Sequence, residues 1–109
     1  MSRTALEFHT PDHEWSQTAP GTWVMVLSDD PESGERTLLQ RYDAGFDDRS
    51  GPVLVHDFTE EVFVLEGELT DCRLGQTFVR GMYASRPPGM RHGPYRSEGG
   101  CLMFVTLGP

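Results

Sequence analysis

Two histidines and one glutamate are the residues of this sequence best suited to chemistry. His56 lies four residues before Glu60 in HDFTEEVFVLEG, and His92 closes the run RPPGMRH. Imidazole nitrogens and a carboxylate oxygen are the usual ligands of first-row metal ions, and a set of three leaves coordination positions open. The prolines and glycine before His92 stiffen the turn that delivers its ring. The two histidines and a carboxylate of these segments are therefore candidates for a first-row metal site.

The adjacent acids Glu60 and Glu61 begin an apolar strand. Successive side chains of a strand point to opposite faces, so Glu60 shares a face with Val62, and Glu61 shares the other with Phe63. Both faces are apolar beyond the acids, and the pattern does not say which one is inward. One glutamate therefore points inward and one outward; the alternative is that both are solvated and His56 lies in a surface loop.

The elements that must position these residues are short strands. The chain contains 12 glycines and 8 prolines, and apolar residues hardly ever recur at helical spacing. TWVMVLS (22–28) and RTLLQRY (36–42) flank a turn and predict a hairpin. Further strands are GPVLVHDF, EEVFVLEGELTD, QTFVRGMYASR and CLMFVTL, with Gly67 and Gly81 as bends. The pattern predicts an all-β fold, a small antiparallel β-barrel or sandwich.

Length and charge restrict the classes of protein and partner. A chain of 109 residues fits one domain, and 17 acidic against 9 basic residues give a net charge of −8, which disfavours nucleic acid. No run reaches the roughly 20 apolar residues of a membrane span, and the first ten residues lack a signal-peptide core. We expect a cytoplasmic protein without membrane contact. Cys72 and Cys101 have no metal-binding spacing and are expected to be reduced, with Cys101 buried.

The first twenty residues differ from the remainder of the chain. Residues 1–20 are polar and bounded by proline, which indicates an N-terminal arm or edge strand laid on a barrel formed by residues 21–109. Such an arm can exchange between subunits, so we expect a homodimer.

The chain resembles the cupin family. The second half of that family's first motif is matched by His56, Glu60 and Gly67. Its second motif is matched without a gap by Gly81, Pro87, Gly89 and His92. The stretches EEVFVLEGELTD and GMYASRPPGMRHGPYRSEGGC are similar to the cupin-like half of ChrR-type zinc anti-sigma factors and to acetylacetone dioxygenase. The resemblance covers roughly residues 43–107 and implies a cupin double-stranded β-helix, or jelly roll.

The sequence departs from the cupin pattern at one ligand. Leu54 stands two residues before His56, where the family places its first metal histidine, and Asp48 stands in place of the first motif's glycine. The resemblance implies a divalent metal, Fe(II) or Zn first and Mn or Ni next, held by the three ligands that remain, His56, Glu60 and His92. Glu61 is then left on the outer surface as a solvated acid. The alternatives are an empty site or a replacement ligand such as Gln40 or an arm histidine. If they face inward, Leu54 and Val62 belong to the core beside the site.

The resemblance implies a dioxygenase-like enzyme acting on a small carbonyl or hydroxylated aromatic compound. The first alternative is a non-catalytic module that senses a ligand or metal and regulates a partner protein. The second is metal-free isomerase or lyase chemistry with His92 or Glu60 as the general base. Whether the protein is an enzyme stays open at this point.

Arginine is the residue type that would hold a substrate carboxylate, because its planar fork can donate two hydrogen bonds. Arg86 is the best candidate, since it directly precedes the turn that carries His92. Weaker candidates for the barrel interior are Arg41, Arg80, Tyr83, His9 and His13. Tyr83 lies three residues before Arg86 and therefore falls on the opposite face of a strand.

Overall fold

The protein is built from strands. The computed structural model describes residues 3–108 and contains no helix within them. The strands are β1 (Ser16–Ala19), β2 (Thr22–Asp29), β3 (Arg36–Tyr42), β4 (Phe46–Asp47), β5 (Leu54–Val55), β6 (Thr59–Asp71), β7 (Gln76–Val79), β8 (Tyr83–Arg86), β9 (Arg91–His92), β10 (Tyr95–Ser97) and β11 (Cys101–Gly108). Within the described part of the chain, no helix could therefore span a membrane.

One curled antiparallel sheet forms the body of the molecule. Its strands follow the order β1-β2-β3-β11-β6-β10-β4, while β7 and β8 also pair with β6, and β5 pairs with β9 in a separate ribbon. The predicted hairpin of β2 and β3 is confirmed, with Asp30 N–H donating to Glu35 O at 2.8 Å across the turn. The segment GPVLVHDF forms a strand only at Leu54–Val55.

The long strand β6 closes the curl because it pairs with different strands along its length. Its first half pairs with β8 and its second half with β7 and β10. Gly67 lies at the change, with a φ of 80°, and a Cβ built there would lie 2.0 Å from Gly100 O. Only glycine fits this close approach to the chain beside its partner Cys101, and the pairing of β6 with β11 shifts register nearby, between Leu102 and Met103. The bend predicted at Gly67 is confirmed.

The inner face of β6 carries Glu60. Val62 and Val64 are buried at 5% and 4% exposure, whereas Phe63 on the other face is 42% exposed. The core is completed by Leu38, Tyr42, Leu69, Tyr95, Cys101, Met103 and Val105. Leu54 is half-buried and packs against this core. Cys101 is buried as expected, and both cysteines are free thiols.

The segment before β1 contacts β2 and β3 through Arg3, and its residues His13 and Glu14 line the cavity that reaches Glu60. Residues 3–15 contain no strand, and β1 pairs with β2 at the edge of the sheet. Arg3 donates hydrogen bonds to Ser28 Oγ at 3.0 Å and to Thr37 Oγ1. The division into an arm of residues 1–20 and a barrel of residues 21–109 stays a prediction, and residues 1, 2 and 109 lie outside the described residues.

Candidate metal centre

The fold brings His56, Glu60 and His92 together inside the curl. One ligand atom from each of the three side chains lies within 4.8 Å of the other two. Across residues 3–108 this is the one group of three or more histidine, cysteine, aspartate or glutamate side chains that could hold a metal ion. The rings of His56 and His92 lie 4.8 Å apart at an interplanar angle of 57°, so they converge instead of stacking.

Strand pairing fixes the backbone positions of His92 and Glu60. His92 lies on β9, whose partner in β5 is Leu54, and Glu60 on β6 pairs in register with Arg86 on β8. The loop between β8 and β9 is tied to the first histidine, because Gly89 N–H donates to His56 O at 2.8 Å. The stiff turn predicted before His92 is therefore hydrogen-bonded to the backbone of His56, so one loop positions both histidines.

His92 is buried and only half satisfied by hydrogen bonds. Its side chain is 5% exposed, and its Nδ1 lies 3.0 Å from Tyr95 Oη, while Nε2 has no hydrogen-bond partner. Burial, with the positive charge of Arg86 as the second cause, lowers the pKa of His92 to about 4. The ring is therefore neutral near pH 7, which is the form that binds metals. An unpaired buried polar atom requires an explanation.

Tyr95 decides which nitrogen of His92 is available. Its hydroxyl oxygen accepts a hydrogen bond from Arg86 Nη2 at 2.6 Å and has a second lone pair for His92 Nδ1–H. In that tautomer Nε2 carries a free lone pair, on a side chain that lies beside His56 and Glu60, and such an atom suits a metal ion. If the phenol donates instead, Nε2–H is a buried donor without an acceptor. Burial raises the pKa of Tyr95 to about 12, against the opposing effect of Arg86.

Glu60 is paired with Arg86. Arg86 Nη1 donates to Glu60 Oε1 at 2.8 Å, and the two side chains are 11% and 12% exposed. Arg86 thus lies in the site, as expected, but it holds a protein carboxylate and the Tyr95 hydroxyl. A carboxylate has two oxygens, so this pairing leaves Oε2 available to a metal ion. The arginine then acts as an outer partner that orients the ligand.

Leu54 places an apolar side chain next to His92. It is the direct ladder partner of His92, and its side chain packs on the core. No nitrogen or oxygen ligand can come from it. Among the proposed replacements, Gln40 and His13 line a cavity of about 550 Å³ that also reaches Glu60. His9 is exposed, and its Nδ1 lies 2.8 Å from Glu7 O.

Comparison with known proteins agrees with this architecture. The sequence matches the family of the ChrR cupin-like domain over residues 4–109. The chain belongs to this cupin family. The family resemblance and the all-β jelly-roll fold inferred from the sequence are thereby confirmed. No curated protein sequence matches the chain significantly.

Solved cupin structures are similar to this chain at low identity. An RmlC-like cupin from Shewanella frigidimarina has a TM-score of 0.75 at 20% identity, covering 100% of this chain and 95% of that one. Acetylacetone dioxygenase from Acinetobacter johnsonii has a TM-score of 0.64 at 16% identity, covering 96% and 79%. The Rhodobacter sphaeroides complex of SigE with the anti-sigma ChrR has a TM-score of 0.67 at 19% identity, covering 90% and 51%. These identities establish the fold alone.

The weaker candidates lie away from the cupin centre. Tyr83 is on the outer face, as alternation predicted, and its hydroxyl donates to Glu61 Oε1 at 2.5 Å. This bond raises the pKa of Tyr83. Arg41 lies over the rings of Trp15 and Trp23 at 4.6 and 5.2 Å, outside the curl. The side chain of Arg80 is exposed.

Sequence reasoning missed two residues that support the site. Tyr95 contacts both Arg86 and His92, and its place three residues after His92 was the only signal. Asp71 is 2% exposed, and its carboxylate accepts from the backbone N–H of Gly93 at 2.9 Å and of Arg73 and Leu74 at 3.0 Å. It anchors the chain just after His92, and an aspartate opening a DCRLG turn was its signal.

Proposed function

We propose that this cupin binds one divalent metal ion through His56, Glu60 and His92 and catalyses a dioxygenase-like reaction on a small carbonyl or hydroxylated aromatic compound. The observation that carries the proposal is the buried, unpartnered Nε2 of His92 in a group whose ligand atoms lie within 4.8 Å. Fe(II) or Zn is the preferred ion, with Mn or Ni next, because nitrogen and oxygen ligands suit all four.

The protein residues around the centre have separable tasks. When bound, the ion would supply Lewis acidity and a template for a chelating substrate. Tyr95 holds the ring of His92 through Nδ1, and Arg86 holds Glu60 through Oε1. Three protein ligands leave positions for substrate and oxygen, which supports an oxygenase over a closed structural site. Similarity to acetylacetone dioxygenase favours the same reaction class.

Oxygen uptake by the metal-loaded protein tests this function. The protein is loaded anaerobically with Fe(II) and presented with small dicarbonyl compounds and hydroxylated benzoates at an oxygen electrode. We expect substrate-dependent oxygen uptake that is lost in His92→Ala and retained in His9→Ala, since His9 is exposed and its Nδ1 lies beside Glu7 O. Turnover that survives chelation would instead favour metal-free isomerase or lyase chemistry.

The second candidate is a regulatory module that senses a metal or ligand and alters its association with a partner protein. Two observations favour it: the missing ligand at Leu54, and similarity to the complex that contains the anti-sigma ChrR. This function predicts metal binding without oxygen uptake on any substrate of the panel. The homodimer and the cytoplasmic location expected from the sequence stay predictions.

A further inference from the structure

Two polar side chains on the inner face of β3 make no hydrogen bond to another described residue. Leu38 and Tyr42 belong to the buried core, and Gln40 lies between them, so the alternation of a strand places all three on the inner face. Within residues 3–108, neither the amide of Gln40 nor the hydroxyl of Tyr42 has a protein partner. A deeply buried tyrosine usually uses its hydroxyl in a hydrogen bond, so this absence requires an explanation.

The hydroxyl of Tyr42 is a donor with access to open space. Tyr42 is 8% exposed, and its ring centroid lies 4.6 Å from that of Phe46. In the described part of the chain, His92 Nε2 is the one side-chain nitrogen or oxygen that is both fully buried and unpartnered, so the hydroxyl of Tyr42 is not sealed off from solvent. Burial raises the pKa of Tyr42, and Tyr95 acts in the same direction. The phenol is therefore protonated near pH 7 and can donate.

Tyr42 and Gln40 lie near the candidate metal centre. After burial, the charge of Glu60 also raises the pKa of Tyr42 and that of Arg86 opposes it, so the hydroxyl is within electrostatic range of both. Gln40 and Glu60 line the same cavity of about 550 Å³, while Gln40 and Tyr42 line a second cavity of about 600 Å³. Because Gln40 belongs to both, the cavities adjoin, and a ligand at Glu60 can extend along β3 to Tyr42.

The walls of these two cavities have no surplus of positive charge. Arg36 is the one arginine of the described chain that lines either of them. Several carboxylates line them as well, namely Glu14, Asp43, Asp47, Asp48 and the arginine-paired Glu60. An anionic ligand would therefore meet more negative than positive charge, whereas an uncharged ligand would still find the amide and the phenol.

We propose that Tyr42 and Gln40 bind the carbonyl oxygen of an uncharged substrate whose other end lies at the metal centre. A carbonyl oxygen accepts hydrogen bonds, and both the phenol and the side-chain amide can donate one. The inference rests on the proposed function, because it narrows the substrates of that centre to uncharged carbonyl compounds. It also assigns Gln40 to the substrate instead of to the metal ion.

Fluorine probes test the assignment directly. ¹⁹F NMR titrations compare 4-fluoroacetophenone, which has a carbonyl group, with 4-fluorobenzoate, which is charged, and with fluorobenzene, which has neither feature. Chelator-treated protein is used so that no metal ion competes for the carbonyl oxygen. We expect 4-fluoroacetophenone to bind about fivefold more tightly than either of the others, the effect of about one neutral hydrogen bond. Equally tight binding of 4-fluorobenzoate would overturn the preference for an uncharged ligand.

Three variants localise the probe. Tyr42→Phe should remove most of the preference for 4-fluoroacetophenone over fluorobenzene, and Gln40→Leu should remove part of it. Tyr83→Phe should leave the preference unchanged, since the Tyr83 hydroxyl donates to Glu61 on the outer face. The melting temperature of Tyr42→Phe should match that of the wild type, because the hydroxyl has no protein partner to lose. A melting temperature lowered by several degrees, or a preference that Tyr42→Phe leaves intact, would overturn the inference.

Zinc titration of the same proteins separates the two proposals. Stoichiometric zinc binding without a preference for 4-fluoroacetophenone would overturn the carbonyl site and leave the metal-dependent function standing. A preference that Tyr42→Phe abolishes, in a protein that binds no metal, would support the carbonyl site and overturn the proposed function.

Discussion

Glu60 and Arg86 form a buried ion pair, and replacing one of the two residues should destabilise the protein more than replacing both. Its atoms lie 2.8 Å apart and its side chains are about nine-tenths buried. Removing one partner of a buried pair leaves an uncompensated charge and typically costs about 3–5 kcal/mol, whereas replacing both by hydrocarbon is often neutral. We expect about 3 kcal/mol for Glu60→Leu and for Arg86→Met, at the lower end because some solvent reaches both groups.

The double variant should lose no more than either single variant. Additive costs would give about 6 kcal/mol, so a loss of about 3 kcal/mol or less corresponds to a coupling energy of at least about 3 kcal/mol, at the upper end of the range for neighbouring residues. The assay is urea unfolding of the chelator-treated wild type, the two single variants and the double variant at pH 7. A change of midpoint at an unchanged m-value reports a change in the free energy of unfolding. Single-variant losses below about 1 kcal/mol that add in the double variant would refute a buried, mutually compensating pair.

Three further predictions concern the fold and His92. Val62→Ala should lower the free energy of unfolding by about 2–4 kcal/mol through the cavity it leaves, while Phe63→Ala on the exposed face should cost clearly less; equal losses would show that the faces are misassigned. Gly67→Ala should destabilise strongly because a Cβ would meet Gly100 O at 2.0 Å, whereas Gly81→Ala, also at positive φ but with no atom within 4 Å, should cost only about 1 kcal/mol, as thermal melts of both would show. His92 takes up its proton near pH 6.5 in the unfolded chain but only near pH 4 in the folded chain. Its contribution to the free energy of unfolding is therefore complete above pH 6.5 and is lost as the pH falls toward 4. Metal-free protein should lose up to about 3 kcal/mol over that window, and His92→Asn should flatten the stability–pH curve; parallel curves would contradict the lowered pKa.

Local patterns in the sequence predicted the elements but not the pairing between distant strands. The hairpin of β2 and β3 and the bend at Gly67 depend on turn residues close in sequence, and both are present. The inward face of β6 was open because both faces are apolar, and the structure leaves Phe63 and Phe104 exposed on the outer one. The alternation of side chains along one strand does not tell which of two apolar faces is buried, because burial depends on the strands that pack against it.

The residues that hold the ligands in place could not be predicted from the sequence, because their contacts also depend on the pairing of distant strands. Arg86 was expected to hold a substrate carboxylate, but the register of β6 with β8 places it opposite Glu60, 26 residues away. Tyr95 reaches both Arg86 and His92 only because β10 pairs with the far half of β6. The ligands themselves were accessible from the sequence, since family spacing marks His56, Glu60 and His92.

Metal content tests the central claim most directly. Protein purified without an affinity tag, and the same protein loaded anaerobically with Fe(II) or Zn, is analysed for bound metal beside His92→Ala and the arm control His9→Ala. The three-ligand site predicts near-stoichiometric metal in the wild type and in His9→Ala, and its loss in His92→Ala. Absence of metal from the wild type after both loadings would contradict the site and mean that the hydrocarbon of Leu54 has closed it.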